Sequence, residues 1–135
     1  MVEFLKTYPV ILEQTEDGFS TFIPNLDGCV SFGKSIDEAI KNTKEALTLH
    51  IAGMIEDKVD VPSFNIEKIK KEANDGFLAF IEPDRVLLSK LVRGKAKRIN
   101  ITIDENLLEL VDKRAKELNI SRSRLIESGL RAIVA

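Results

Sequence analysis

The sequence contains little of what several protein classes require. Cys29 is the only cysteine and His50 the only histidine, and there is no tryptophan among the 135 residues. One cysteine excludes a disulfide framework within the chain, and no zinc-ligand spacing or glycine-rich phosphate loop is present. No apolar run has the length of a signal peptide or of a membrane-spanning helix. We therefore expect a cytoplasmic protein without a membrane segment, a metal or a cofactor.

The chain also lacks a large net charge, but its two ends differ. Residues 1–90 hold 10 basic and 16 acidic side chains, a net charge of −6, whereas residues 91–135 hold 10 basic and 6 acidic side chains, a net charge of +4. A basic segment suits a polyanion, and an acidic one repels it. We predict a domain over residues 1–90, a basic linker over residues 91–97 and a second domain over residues 98–135.

The second domain begins with an alternation of apolar and polar residues that predicts a short strand with two different faces. The apolar face consists of Ile99, Ile101 and Ile103, and the polar face of Arg98, Asn100 and Thr102. Arginine suits guanine, asparagine suits adenine, and threonine bonds either base edges or a thymine methyl group. An ordinary half-buried strand with a solvated outer face fits the alternation equally well.

Two short amphipathic helices follow this strand. Asp104 and Ser121 are suitable N-caps, and Asn119 suits a left-handed C-cap between the helices. Free amides, hydroxyl groups and basic side chains at a helix start can hold phosphate, although solvated surface residues are the ordinary alternative. The phosphate-binding candidates are Lys97, Ser121, Arg122 and Ser123. Because so short a unit buries little apolar surface, we predict that two copies share one core.

This C-terminal segment resembles the ribbon-helix-helix family of DNA-binding domains. The similarity covers residues 95–135 and rests on residues 97–103, on the helix start at residues 104–107 and on residues 119–123. It implies a β-α-α dimer in which two chains form an antiparallel ribbon. Arg98, Asn100 and Thr102 would then read the bases of double-stranded operator DNA, and residues 121–123 would hold the phosphate backbone.

The residue pattern of the N-terminal part predicts an antiparallel sheet with helices. Turns at residues 16–18 and 25–29 separate three strands, and Pro9 suggests an edge or bulge position in the first of them. Ser35 and Glu38 match a capping box at the start of a long helix. A short helix over residues 66–73, a strand over residues 77–81 and a helix over residues 83–91 complete an α+β class.

The N-terminal part also resembles the HicB antitoxin family. The matching segments are residues 8–13, 17–19, 22–29, 33–39 and 55–62. This similarity implies a degraded ribonuclease-H-like fold that binds and occludes a small HicA-like ribonuclease toxin, and a C-terminal domain that represses its own operon. We thus expect a type II antitoxin that forms a homodimer, with higher assembly left open. The candidate toxin contacts are Asn25, Leu26, Asp27 and Cys29.

Two alternatives stay open at this point. The N-terminal domain can be a ligand-sensing module of a transcriptional repressor that has no toxin partner. A ribonuclease-H-like fold also leads to the hypothesis of a metal-dependent nuclease. The acids available for it are Glu13, Asp17, Asp27 and Glu45. Because acids in turns are usually solvated, we expect no enzyme and assign no catalytic or metal-binding residue.

Overall fold

The computed structural model describes residues 1–134, so that Ala135, the last residue of the predicted second domain, lies outside it. Contacts divide the chain into a first unit, residues 1–92, and a second unit, residues 93–135. The strands of the first unit are β1 Tyr8–Gln14, β2 Phe19–Phe22, β3 Val30–Gly33 and β4 Phe77–Ile81. Its α-helices are α1 Ile36–Glu56, α2 Ile66–Ala73 and α3 Arg85–Leu91, and a 3₁₀ turn spans Val2–Phe4. The second unit contains α4 Glu105–Leu118 and α5 Arg122–Ile133.

The four strands form one antiparallel sheet in the order β3-β2-β1-β4. Helix α1 packs against β2 and β3, and α2 packs against β1 and β4. The main core lies between α1 and alternate residues of β1 and contains Tyr8, Val10, Leu12, Leu47 and Ile51. A smaller core under α2 contains Ile11, Ile69 and Ala73. The predicted α+β class is therefore confirmed.

Pro9 lies in an interior strand, and the prediction of an edge or bulge position is wrong. Strand β1 has β2 on one side and β4 on the other, but its pairing with β2 begins only at Ile11. The Thr15 N–H donates to the Gly18 carbonyl (2.7 Å), so the backbone groups of Thr15 point toward the β2 side. In an antiparallel pair, the backbone N–H and C=O groups of every second residue point to the same neighbour, so those of the odd-numbered residues of β1 point toward β2. The N–H that Pro9 lacks would point beyond the end of β2, so its absence removes no ladder bond.

Helix α1 starts directly against the end of β3. The Ser35 hydroxyl accepts a hydrogen bond from the Glu38 N–H (3.1 Å), which confirms the predicted N-cap. Gly33 is buried at this junction, and a Cβ atom there would overlap the backbone of Ala39. Glycine at this position therefore permits the close approach of the helix to the sheet.

Helices α4 and α5 have the caps that the sequence predicts. Asp104 Oδ1 accepts from the Asn106 and Leu107 N–H groups (3.0 Å each), and Asn119 adopts the left-handed conformation with φ 55°. The predicted strand over residues 98–103 is absent from the single chain, in which this segment has no regular secondary structure. A ribbon strand needs a neighbouring strand for its hydrogen bonds, and the proposed neighbour is a second chain.

Residues 1–134 contain no helix that combines the length and the apolar character needed to cross a bilayer.

Candidate functional site

The second unit has almost no core of its own. Among its described residues only Ala115 is buried, at 4% exposure. Ile99 is 66% exposed and Ile133 is 79% exposed, and other large apolar side chains of the unit are also exposed: Ile101, Leu107, Leu110, Leu118 and Leu130. So many large exposed apolar side chains, beside a single buried residue, leave this unit without a core of its own, and apolar surface of this kind usually marks an interaction site.

The predicted base-reading residues lie in the irregular segment before α4. Arg98, Asn100 and Thr102 are all exposed, and so are Ile99 and Ile101 between them. Of the apolar set, only Ile103 is half-buried within the chain. The segment has the side chains of a two-faced strand, but it has neither a hydrogen-bonding neighbour nor a surface that covers Ile99 and Ile101.

The predicted phosphate-binding residues meet at the first turn of α5, except for Lys97, which precedes α4 and is exposed. The Ser121 hydroxyl accepts from the Arg124 N–H (3.1 Å) as the N-cap, and Ser123 is exposed. Exposed hydroxyl groups and free amides at a helix start are suitable for binding a phosphate.

Arg122 has a partner that the sequence did not predict. Its Nε and Nη2 atoms donate to the two carboxylate oxygens of Asp112 on α4, each at 2.8 Å. This two-pronged pair explains an arginine in the first turn of a helix, where it opposes the helix dipole. These two hydrogen bonds hold the pKa of Asp112 below its usual value, and the same bonds raise the pKa of Arg122. Arg122 therefore connects the start of α5 to α4.

The turn between β2 and β3 corrects two of the predicted toxin contacts. Leu26 and Cys29 are each only 3% exposed and belong to the main core. Burial raises the pKa of the Cys29 thiol to about 11, so this side chain is neutral at neutral pH. Cys29 cannot contact a partner without a rearrangement of the core, and Leu26 offers only the small part of its surface that lines the depression described below. Asn25 is half-buried and Asp27 is exposed, and these two stay candidates.

Asn25 connects this turn to the segment after α1. Its Nδ2 atom donates to the Pro62 carbonyl (3.0 Å), whereas its Oδ1 atom is buried without a hydrogen-bond partner among the described residues. A buried acceptor without a donor costs free energy. The turn borders a shallow depression of about 450 Å³, which is lined by Pro24, Asn25, Leu26, Asp27, His50, Met54, Val59 and Pro62.

The end of α1 and the segment after it form one wall of this depression. Sequence reasoning did not predict this wall. Val59 and Pro62 lie more than thirty positions after the turn in the chain. No periodicity or local motif relates such distant residues. His50 was the one available signal, since it is the only histidine and neighbours the apolar stripe of α1.

The acids considered for a metal-dependent nuclease do not form a ligand set. Within residues 1–134, no three histidine, cysteine, aspartate or glutamate side chains lie close enough together to hold one ion. Glu13, Asp17, Asp27 and Glu45 thus do not converge in the way that a ribonuclease-H-type centre requires.

Comparison with known proteins identifies the family. A family model described as the HicB-like antitoxin of bacterial toxin–antitoxin systems matches residues 8–129. The chain belongs to the HicB-like antitoxin family. This membership confirms the sequence-based assignment to HicB-type proteins and indicates an antitoxin role.

Relatives and solved structures agree with the family. An uncharacterized 14.9 kDa protein from the rep–hol intergenic region of Haemophilus phage HP1 is 38% identical over 108 residues, which are 78% of this chain and 78% of that protein. The Burkholderia pseudomallei antitoxin HicB has the same fold, with a TM-score of 0.56 and 24% identity over 97% of this chain and 100% of that one. Antitoxin HicB3 matches with a TM-score of 0.52 and 28% identity over 93% of this chain and 96% of its own.

The pair between Arg122 and Asp112 predicts an acid-sensitive second unit. Because the folded-state pKa of Asp112 is lowered, its stabilising contribution is present above the unfolded-state pKa and is lost as the pH falls through the folded-state value. We expect Asp112→Asn to lower the unfolding midpoint at neutral pH and to have a smaller effect in acid, as measured by circular dichroism during denaturant titration. Glu109→Gln, an exposed change on the same helix, is the control. An equal effect of Asp112→Asn at both pH values would contradict the assignment.

Proposed function

We propose that this antitoxin binds a HicA-like ribonuclease toxin through its first unit and represses its own operon through a DNA-binding dimer of its second unit. The observation that carries the proposal is the family match over residues 8–129, because it spans both units. The opposite net charges of the two parts, −6 and +4, support the division of labour.

Dimerisation of the second unit explains its uncovered surface. A second copy covers the exposed leucines and isoleucines of α4 and α5, and two antiparallel copies of residues 98–103 supply each other's missing hydrogen bonds. The isoleucines then face the shared core. Arg98, Asn100 and Thr102 face outward on a two-stranded ribbon, which is a shape that fits the major groove of DNA.

Charge supports toxin binding by the first unit. A ribonuclease must attract a polyanion, so its substrate-binding surface is expected to be basic. A domain with a net charge of −6 is repelled by nucleic acid but attracted by such a surface, and it competes there with RNA. The turn that contains Asp27 offers an exposed carboxylate beside the depression.

The dimer is tested by placing a charge in its proposed core. We expect Ile133→Asp to lower the oligomeric state of the full chain in sedimentation velocity and to reduce its helical circular dichroism, because a buried unpaired carboxylate is costly. Leu49→Asp, at an exposed leucine of the first unit, is the matched control and should leave both measurements unchanged. A wild-type chain that sediments as a folded protomer at micromolar concentration would contradict the dimer.

DNA binding is tested by two neighbouring basic residues with different expected roles. Arg98→Ala should cost about 1–3 kcal/mol of operator binding and relax one base preference, since it removes a base contact. Lys97→Ala should weaken binding to all sequences and reduce the salt slope by about 1, since it removes a phosphate contact. The measurement is fluorescence anisotropy with operator and scrambled duplexes over a range of salt concentrations. The same pattern of loss for both variants would overturn the assignment of their roles.

Toxin binding is tested by charge reversal at the two ends of β2. Asp27→Lys should reduce inhibition of a co-expressed HicA-like ribonuclease roughly ten-fold or more, because it opposes a basic surface. Asp17→Lys makes the same change in the turn between β1 and β2, at the opposite end of that strand, and should leave inhibition intact. RNA cleavage in the presence of each purified variant is the readout. Equal inhibition by Asp27→Lys and the wild type would exclude this turn from the interface.

A further inference from the structure

The chain from the start of α3 to the start of α4 carries positive charges and no negative ones. Residues 85–103 contain six lysine and arginine side chains and neither aspartate nor glutamate. Four of these six cations lie within residues 93–98, which are all exposed. We name residues 93–97, with the sequence Arg-Gly-Lys-Ala-Lys, the basic arm. The basic arm belongs to the second unit and directly precedes the segment of the proposed ribbon.

The cations of the basic arm are not neutralised within the described part of the chain. The side chains of Arg93, Lys95 and Lys97 take part in no ion pair and no side-chain hydrogen bond there. Arg122 of the same unit, by contrast, pairs with Asp112. Exposed cations that are close together and lack a carboxylate repel one another, and a polyanion removes that repulsion. The basic arm is therefore suited to binding a polyanion.

The backbone of the basic arm suits contact with a row of phosphates. The arm has no regular secondary structure, so neither a helix nor a neighbouring strand holds its backbone. Five extended residues span roughly 17 Å, a length over which one strand of DNA presents about five phosphates. Gly94 and Ala96 place only small side chains between the basic residues, so the backbone of the arm can approach the DNA closely.

We propose that the basic arm binds the phosphate backbone of DNA beside the base pairs that the ribbon contacts, with Arg93 and Lys95 as sequence-independent contacts in addition to Lys97. The inference rests on the proposed DNA binding of the second unit and adds a contact element to it. Because two antiparallel copies of residues 98–103 start at opposite ends of the ribbon, the two arms leave the dimer at opposite ends. Each arm then contacts the duplex on one side of the ribbon.

The position of the arm in the chain favours DNA over other anionic partners. Lys97 and Arg98 are consecutive residues, so a ribbon in the major groove brings the arm to the phosphates that border this groove. An anionic membrane also attracts lysine and arginine, but the arm has no large apolar side chain that would enter a bilayer. Contacts to phosphates carry no base information, so the arm contributes to affinity and to its salt dependence rather than to specificity.

The experiment compares the full wild-type chain with the double variant Arg93→Gln/Lys95→Gln by fluorescence anisotropy. The probes are a duplex from the region upstream of the antitoxin gene and a duplex of scrambled sequence. A dimer of the variant lacks four cations, so the slope of log K against log salt should become shallower by about 3–4. At roughly 100 mM salt, binding to both duplexes should weaken by the same factor, roughly ten-fold or more. Lys68→Gln/Lys71→Gln removes the same charge from exposed positions of α2 and is the matched control.

Stepwise shortening of the upstream duplex from both ends gives a second measurement. The wild type should begin to lose affinity at a greater duplex length than the arm variant, because only its arms contact the flanking phosphates. Circular dichroism and sedimentation velocity should be the same for both, since the changed residues are exposed and make no side-chain bond within residues 1–134. Three outcomes would each overturn the proposal: an unchanged salt slope, a loss confined to the upstream duplex, or an equal loss in the control variant. A wild-type chain that binds neither duplex would contradict the proposed DNA binding itself, and this inference with it.

Discussion

The uncovered apolar surface of the second unit is the constraint from which the proposed function follows. Two short helices that bury only Ala115 do not offset the conformational entropy lost when some forty residues become ordered. In the proposed dimer, a second copy supplies the missing apolar contacts and also the hydrogen-bonding neighbour that residues 98–103 lack. Formation of the shared core, formation of the ribbon and presentation of Arg98, Asn100 and Thr102 would then be one coupled process. The proposed DNA binding would depend on protomer concentration as well as on base contacts.

The first unit, unlike the second, has a buried core of its own. Its sheet is covered by α1 on one face and partly by α2 on the other. This unit can therefore present a fixed acidic surface, including the turn with Asn25 and Asp27, without the aid of a partner. A self-sufficient acidic unit and a partner-dependent basic unit in one chain suit a protein that binds both a basic enzyme and a polyanion.

Much of the fold follows from local chemistry that the sequence shows directly. Ser35, Asn65, Asp104 and Ser121 each accept hydrogen bonds from N–H groups two or three positions later, so their capping role depends only on close neighbours. Apolar periodicity likewise predicts the strands and helices of the first unit, because it reflects which face of each element is covered. The candidate site was predicted less well. Arg98, Asn100 and Thr102 are exposed, but so are Ile99 and Ile101 between them, so their role in reading bases stays a prediction. Leu26 and Cys29 proved to be core residues.

The sequence by itself determined the strands and helices of the first unit, helices α4 and α5, the helix caps, the charge difference between the two parts and the alternation of residues 98–103. Only the tertiary structure decided that Pro9 occupies an interior strand beyond the end of its neighbour, that Asn25 bonds Pro62, and that Arg122 pairs with Asp112. The physical reason is the distance over which each effect acts. Caps and periodicity depend on residues within one or two turns of the chain, whereas burial and ion pairing depend on segments that are brought together only by folding.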